Sequence, residues 1–380
     1  MVRSVEARIG AAAEVEAAAR ARLLLVGDFS ASRVGNASVL EEFATRLEQE
    51  GDIVITTSAS RRRALRFADM LSTTFFARNR VDAAIVDVYS GLAFTWADLV
   101  TRLLHGAGVP VIHVLRGGNL PNFASSNSGR VSRLLASSEA VVALTGFLYE
   151  ELSAYGSIAE VIPNPVDVSG YRFRMRRGVN PKLVWLRGFN QVYNPTMAPR
   201  MMDELIKSLP DTSASVANLG LSAKPHLTMI GADTGDGSKA ATAATIETLG
   251  LGAAVTLRDA VAKRDVAANL ADFDIFINTT DVDNAPISVI EALATGLCVV
   301  STDVGGLPYL LQDGVDALLV PRDDPHAMAA AVRRIIEDPA LAERLSRNGR
   351  AKAETFDWSR VMPKWRKLIS RVASTGKTEP

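Results

Sequence analysis

The chain has 380 residues, and its 42 Lys and Arg residues balance its 42 Asp and Glu residues, so the formal net charge is zero. This balance gives no general attraction to nucleic acid, and a hydrophobic content of 48% excludes a chain that is disordered over most of its length. The single cysteine, Cys298, excludes an intrachain disulfide framework, and the four histidines are too widely separated for a HxxxH-type metal motif.

Residues 1–22 are rich in alanine but carry several charged side chains, among them Arg3, Glu6 and Arg8. A secretory signal peptide needs an uncharged apolar centre, so we predict a tail or a loose amphipathic helix here. No run of about 18 apolar residues occurs, and we predict no transmembrane segment. The expected compartment is therefore the cytoplasm.

Short apolar runs then alternate with helix-like stretches. At about 150 residues per domain, a chain of this length is expected to form two or three domains. Continuous β-branched runs separated by amphipathic helices predict parallel strands that are covered on both faces. The predicted strands of the first series are 23–26, 53–55, 83–86, 109–112, 141–144 and 160–162. We assign residues 23–177 to a first domain, with an interdomain linker around 172–181.

A second series of the same kind follows and predicts a second domain over residues 178–355. Its predicted strands are 183–186, 227–230, 254–257, 275–277, 298–300 and 317–320. Residues 356–380 form a last predicted helix, whose apolar stripe includes Trp358 and Trp365 and must pack on other parts of the chain. We expect this helix to cross back to the first domain. The predicted fold class is therefore α/β, with two doubly wound parallel sheets.

The segment from Asp283 to Gly296 contains the strongest functional signal, because it follows the predicted strand 275–277. Pro286 suits the first position of a helix and Gly296 suits its end. A helix that begins at the carboxyl end of a parallel strand presents free amide groups, from about Ile287 onward, with the positive end of its dipole behind them. Such an end is an anion site that matches a pyrophosphate.

Two acids flank this predicted anion site, Asp283 in the loop before the helix and Glu291 inside it. Helical side chains lean towards the N-terminus, so Glu291 can reach the same pocket. Carboxylates suit sugar and ribose hydroxyls, so the combination predicts binding of a nucleotide-sugar. Two alternatives stay open: Glu291 as a solvated helix residue, and the Asp281-Val282-Asp283 run as a metal motif, which we disfavour because the helix end already neutralises phosphate.

These residues resemble the signature of the retaining, group 1 (family 4) glycosyltransferases of the GT-B fold. Asp283 and Glu291 are separated by seven residues, as are the two acids of the family, although the family usually has Glu at the first position. The runs 296–306, 313–320, 161–167 and 356–358 match as well, and the resemblance covers residues 23–372. It implies two Rossmann-like domains that face a central cleft.

The resemblance also implies roles for individual residues. Arg187 would grip the diphosphate, Asp283 would contact hydroxyls of the donor sugar, and Glu291 would bind the ribose; we predict these three as catalytic. The family usually has a lysine where this chain has Val192, which weakens the expected charge clamp. The residues expected to bind the donor are Gly35, Gly231, Asp233, Arg258, Asn284, Ala285, Pro286, Ile287, Ser288 and Glu291. We predict neither a metal nor a cofactor.

The first domain is expected to hold the acceptor, a glycan or a lipid-linked sugar. The run Arg116-Gly117-Gly118-Asn119 resembles a subgroup motif in which His often precedes the two glycines, and we predict these four residues as acceptor-binding. Arg61-Arg62-Arg63 with Arg66 forms a basic cluster that is either a solvated helix start or a peripheral contact with the inner face of a membrane.

The predicted activity is glycosyl transfer with retention from a nucleotide-diphosphate sugar to a hydroxyl, without a metal. Two alternatives remain. A nucleotide-sugar 2-epimerase would share the fold and the donor but would need acid and base residues in the first domain. The second is a non-catalytic sugar-binding protein that retains the fold. This alternative remains because Arg116 and Val192 stand where the family often has His and usually has Lys.

Overall fold

The computed structural model describes residues 21–29, 38–57, 60, 62–209 and 224–375. The predicted tail up to residue 20, Gly35 and Arg61 lie outside the described residues, and so does the side chain of Arg63.

The first domain is built on a parallel sheet of six strands in the order β2-β1-β3-β4-β5-β6. Its strands are β1 (Arg22–Val26), β2 (Ile53–Thr56), β3 (Ala83–Val88), β4 (Val111–Leu115), β5 (Ala140–Ala143) and β6 (Glu160–Val161). Its helices are α1 (Val39–Gln49), α2 (Arg63–Ala77), α3 (Leu92–His105), α4 (Leu120–Ser126), α5 (Ser128–Leu135) and α6 (Gly146–Leu152). β4 begins after Pro110, two residues later than predicted, since proline has no amide hydrogen for the ladder.

The second domain is built on a second six-stranded parallel sheet, in the order β12-β11-β10-β7-β8-β9. Its strands are β7 (Lys182–Leu186), β8 (His226–Ile230), β9 (Val255–Arg258), β10 (Ile275–Asn278), β11 (Cys298–Thr302) and β12 (Leu318–Val320). Its helices are α7 (Met197–Ser208), α8 (Ser238–Thr248), α9 (Lys263–Ala271), α10 (Ile287–Thr295), α11 (Leu307–Leu310), α12 (Pro325–Glu337) and α13 (Pro339–Glu354).

Helices cover both faces of each sheet, as the predicted α/β class requires. In the second domain one apolar cluster, around Trp185 and Met201, fills one face, and another, around Phe276 and Leu293, fills the opposite face. The central strands β4, β10 and β11 are buried along their whole length, which is why their sequences are apolar without alternation, whereas the strands β2, β6 and β9 are partly exposed. The fold class predicted from the sequence is confirmed.

The last helix, α14 (Trp358–Thr375), packs against the first sheet although it follows the second domain. Its Trp365 ring lies 5.0 Å from the ring of Phe43 on α1, measured between centroids. Arg366 pairs with both Glu50 and Asp52 of the first domain. This helix therefore ties the two domains together.

The domains also meet along the cleft. The side chain of Thr145, before α6, donates to the Asn284 side chain, and the Tyr309 hydroxyl of α11 lies 2.5 Å from Glu150. Within the described part of the chain, no helix is both long enough and apolar enough to cross a membrane.

Candidate functional site

The candidate site begins where β10 ends and the chain turns into α10. Pro286 is the residue just before the helix, with φ of −67° and ψ of 116°, so the helix starts at Ile287, one residue later than predicted. The difference has a simple cause: proline has no amide hydrogen, so the first free amide is that of Ile287 in either arrangement. The positive end of the α10 dipole lies at the carboxyl edge of the sheet, next to the facing domain.

Asp283 lies in this loop and pairs with Arg187, which follows β7. β7 and β10 are neighbours in the sheet, so parallel strands bring the two residues to the same edge. The Arg187 guanidinium also lies 4.0 Å from the centre of the Tyr193 ring. Burial raises the pKa of the Asp283 carboxyl, and Arg187 partly offsets that rise. The pair is thus a partly dehydrated ion pair facing the cleft.

Glu291 is only 4% exposed, which excludes the alternative of a solvated helix residue. Its Oε1 atom accepts a hydrogen bond of 2.7 Å from the Tyr171 hydroxyl and forms an ion pair with Lys263 at the start of α9. Burial and the charge of Glu291 raise the pKa of Tyr171, so that hydroxyl stays a donor. The second oxygen, Oε2, is left for a ligand hydroxyl.

Tyr171 and Lys263 were missed by the sequence reasoning as site residues. Tyr171 belongs to the interdomain connection, 120 positions before Glu291, and no local pattern marks it. Lys263 stands only 28 positions before Glu291. The signal that could have found it is Glu291 itself, a lone charge in the otherwise apolar helix α10 that requires a cationic partner. With Lys263 present, each of the two acids carries one cationic partner.

The first turn of α10 holds an unusual polar atom. The Ser288 hydroxyl is buried and has no hydrogen-bond partner within the described residues. A buried hydroxyl without a partner costs about 1–3 kcal/mol. Its position beside the free amides of the helix end makes it a donor available to a bound anion.

Replacing Ser288 by alanine is therefore expected to have two opposite effects. The free energy of unfolding should stay equal or rise, because an unpaired buried polar group is removed. The affinity for nucleoside diphosphates should fall about 2- to 13-fold, the value of one neutral hydrogen bond. Thermal unfolding and calorimetric titration check this, with Ser72→Ala on exposed α2 as control. A loss of stability with unchanged affinity would contradict the assignment.

The other predicted donor residues occupy the loops around this edge. Gly231 packs so closely on the backbone of Arg187 that a Cβ atom would overlap the Arg187 carbonyl oxygen, which explains the glycine. Asp233 is exposed and accepts from the amide of Gly235 at 2.9 Å. The Arg258 side chain is also exposed and bonds Asn269 at 3.2 Å.

The predicted acceptor loop lies directly opposite Asp283. A Cβ atom on Gly118 would lie 2.9 Å from the Asp283 carbonyl carbon, so the glycine permits this close approach of the two domains. Arg116 is turned inward, with its Nε atom 2.5 Å from Asp87 and its Nη1 atom 3.2 Å from Asn164. Asp87 thus already neutralises the guanidinium that we expected to bind the acceptor. Asn119 ends this loop just before α4.

The structure also describes the surroundings of Val192, which replaces the family lysine, and of Asp281, which belongs to the possible metal motif. Val192 is 45% exposed and uses its carbonyl oxygen to accept from the amide of Asp281. The Asp281 carboxylate lies 3.4 Å from Arg322 and 3.3 Å from Asn194. Among the residues with described placement, no group of three His, Cys, Asp or Glu side chains could hold a metal ion.

Comparisons with known proteins show which family this chain resembles. Residues 200–338 match the family model described as Glycosyl transferases group 1. The chain is 26% identical over 279 residues to D-inositol 3-phosphate glycosyltransferase of Paenarthrobacter aurescens, covering 67% of this chain and 65% of the relative. It is 27% identical over 236 residues to phosphatidyl-myo-inositol mannosyltransferase of Mycobacterium tuberculosis, covering 60% and 57%. These matches confirm the predicted resemblance to group 1 glycosyltransferases.

Higher identity is confined to a short segment. To D-inositol 3-phosphate glycosyltransferase of Streptomyces griseus the chain is 45% identical over 69 residues, which cover 18% of this chain and 15% of the relative. The chain thus spans between 15% and 65% of the length of these three curated relatives.

Solved structures show the same architecture. Sucrose-phosphate synthase from Thermosynechococcus elongatus aligns with a TM-score of 0.75 at 14% identity, covering 94% of this chain and 100% of that chain. HepE from Anabaena, solved with UDP and glucose, aligns with a TM-score of 0.69 at 16% identity, covering 93% and 100%. These likenesses confirm the predicted GT-B fold.

Proposed function

We propose that this chain is a glycosyltransferase that moves a sugar from a nucleotide-diphosphate sugar to a hydroxyl of a glycan or lipid-linked acceptor. We propose further that transfer occurs with retention and without a metal. The observation that carries the proposal is the free end of α10 at the cleft, flanked by Asp283 and Glu291, each of which has a cationic partner. The family match and the relatives' names support transfer over epimerisation.

Charge at this edge suits a diphosphate that departs from the sugar. The dipole of α10 and Arg187 are already in place where negative charge would develop, so no reorganisation is needed during the reaction. A bound diphosphate would compete with Asp283 and Glu291 for the cations. Both carboxylates would then be released towards hydroxyls, Asp283 towards the donor sugar and Glu291 towards the ribose.

The two domains stand close enough to exclude water from such a reaction. Gly118 touches the backbone of Asp283, and Thr145 bonds Asn284 across the cleft. Exclusion of water protects an activated sugar from hydrolysis. Opening of this contact would be needed for the donor to enter and the product to leave.

Retention rests on the family resemblance, and independence of metal rests on the charges just described. Three groups supply positive potential at the proposed diphosphate position: the helix end, Arg187 and, beside Glu291, Lys263. Lys263 offers a second cation where the family lysine is replaced by Val192. This second cation supports an active glycosyltransferase over a non-catalytic sugar-binding protein.

The acceptor and the location are proposals of the same kind. The relatives' names refer to D-inositol 3-phosphate and phosphatidyl-myo-inositol, which supports a hydroxylated ring, free or lipid-linked, as acceptor. We place the enzyme in the cytoplasm, in polysaccharide or glycolipid synthesis. Peripheral contact with the inner membrane face is supported by α2, where Leu65 is exposed close to Arg62 and Phe75 and Phe76 are exposed at the other end of the helix.

A turnover assay tests the proposal. The full chain is incubated with UDP-, GDP- and ADP-linked sugars in the presence of EDTA, with and without hydroxylated acceptors, and nucleoside diphosphate release is measured. We expect one donor class to give an acceptor-dependent product whose anomeric configuration, read by NMR, matches the donor. An isomerised donor formed without acceptor would identify an epimerase, and the absence of any turnover would contradict catalysis.

A further inference from the structure

Glu291 has two partners of different character, and both contact the same oxygen atom. The Tyr171 hydroxyl donates to Oε1 at 2.7 Å, and the Lys263 ammonium forms an ion pair with that atom. The Lys263 side chain is 31% exposed at the start of α9, whereas Tyr171 is only 7% exposed. The two partners therefore differ in how firmly the surrounding structure holds them.

Tyr171 belongs to the connection between the domains, yet it is fixed to the second domain. Its side chain is part of the apolar cluster that contains Phe276. The Nη1 atom of Arg350 on α13 donates to the Tyr171 carbonyl oxygen at 3.0 Å and to the Ala294 carbonyl oxygen of α10 at 2.8 Å. Ring and backbone are thus both anchored beside the helix that carries Glu291, so the hydroxyl has a fixed position relative to that helix.

The connection stays attached to α10 beyond Tyr171. The amide of Arg174 donates to the carbonyl oxygen of Thr295, in the last turn of α10, at 3.2 Å. The guanidinium of Arg176, which is completely buried, donates to the same oxygen. The connection therefore runs along α10 from Glu291 to the C-terminal end of the helix, and these contacts help to hold Tyr171 in place.

A hydroxyl and an ammonium act differently on a carboxylate. The last torsion of a glutamate side chain is broad, so charge alone does not fix the direction of its two oxygens. An ammonium on a flexible chain has three donors that rotate freely. A hydroxyl on an anchored ring donates from one position, so it determines which oxygen faces it and which faces away. Tyr171 thus sets the direction of Oε2 of Glu291, and Lys263 supplies positive charge.

We propose that Tyr171 is a positioning residue that turns Oε2 of Glu291 towards the ribose hydroxyls of the nucleotide-sugar, and that it thereby makes the site select ribonucleotides over deoxyribonucleotides. The inference rests on the proposed function and adds the residue that sets its ribose specificity. In this role Tyr171 acts through Glu291 and touches neither the ribose nor the reacting atoms. Selection follows because a buried acceptor that is aimed at a missing hydroxyl is left unpaired.

Calorimetry on the full chain tests the proposal with UDP, GDP and ADP, each compared with its 2′,3′-dideoxy form. The wild-type chain should bind the ribose form of its preferred nucleotide about 13- to 160-fold more tightly, the value of a hydrogen bond to a charged group. In Tyr171→Phe, which removes only the hydroxyl, this ratio should fall to about threefold or less, because the carboxylate is no longer aimed. Tyr155→Phe, the same change on a tyrosine packed in the first domain, should leave the ratio unchanged.

Replacing Lys263 by methionine separates direction from charge. Loss of the ammonium should weaken the ribose and dideoxy forms alike, because less positive potential acts on the diphosphate that both forms carry. The ratio between the two forms should remain that of the wild-type chain, since the Tyr171 hydroxyl still donates to Glu291.

A wild-type ratio in Tyr171→Phe, with or without a general loss of affinity, would identify a merely structural tyrosine and overturn the inference. If that variant folds poorly, Lys263→Met decides: a ratio that persists there supports orientation by Tyr171, and a ratio that is lost there assigns the orientation to Lys263 and overturns the inference. A wild-type chain that binds a diphosphate without preferring ribose also overturns it, while leaving the diphosphate site intact. A wild-type chain that binds no nucleoside diphosphate would instead overturn the proposed function.

Discussion

Replacing Glu291 by glutamine is expected to lower kcat/KM for sugar transfer by about 30- to 700-fold, a loss of ~2–4 kcal/mol. Glutamine keeps the volume of a side chain that is 4% exposed and can still accept from Tyr171. It cannot hold the charge of Lys263, and it presents a weaker acceptor to the ribose. The loss should appear in both kcat/KM for the donor and the affinity for nucleoside diphosphates.

Two controls separate this effect from misfolding. Glu247→Gln makes the same chemical change on the exposed face of α8 and should leave transfer unchanged. A nucleotide that lacks both ribose hydroxyls should bind the wild-type chain and the Glu291→Gln variant with nearly equal affinity, because the interaction in question is absent from both. Transfer kinetics of the variant equal to those of the wild-type chain would remove Glu291 from the site.

Replacing Arg187 by alanine is expected to reduce kcat by about 10²–10³-fold, the cost of removing one donor that stabilises charge developing in a reaction. Arg187 directly follows β7 and pairs with Asp283. Arg187→Lys should recover only part of the activity, since an ammonium cannot form the two parallel hydrogen bonds of a guanidinium. Arg264→Ala, an exposed arginine on α9, serves as the control.

The free energy of unfolding of the Arg187→Ala variant should also depend on pH in a characteristic way. Burial raises the pKa of Asp283 and Arg187 lowers it, so the Arg187→Ala variant should have a still higher pKa at this carboxyl. A carboxyl with a raised pKa in the folded state binds a proton that the unfolded chain releases, so stability is lost as the pH rises through the folded pKa. The deficit in unfolding free energy should therefore be small in acid and widen towards neutral pH. A deficit independent of pH would contradict the ion pair.

Much of the architecture could be predicted because buried parallel strands have a strong signature. The runs that became β10 and β11 are apolar without interruption and end in polar residues at the cleft. The limits of elements were less certain, as at β4, where Pro110 moved the start. The place of α14 could be expected from its apolar stripe, but its partner, Phe43, lies more than 300 positions away in sequence and only the structure shows the contact.

The candidate site was predictable in part for the same reason. Asp283 and Glu291 sit on one local segment, so strand, loop and helix geometry placed them together. Tyr171 and Lys263 reach Glu291 from distant segments, and no spacing rule links them. The ion pair between Arg116 and Asp87 is equally non-local, which is why the sequence suggested that Arg116 is available to the acceptor.

A calorimetric titration of the full chain with UDP, GDP and ADP in EDTA, each compared with its nucleoside, tests most directly whether the end of α10 holds a diphosphate. One diphosphate should bind at least tenfold more tightly than its nucleoside, and that advantage should disappear in Arg187→Ala. Equal affinity for diphosphate and nucleoside, or an advantage that survives the loss of Arg187, would contradict the account.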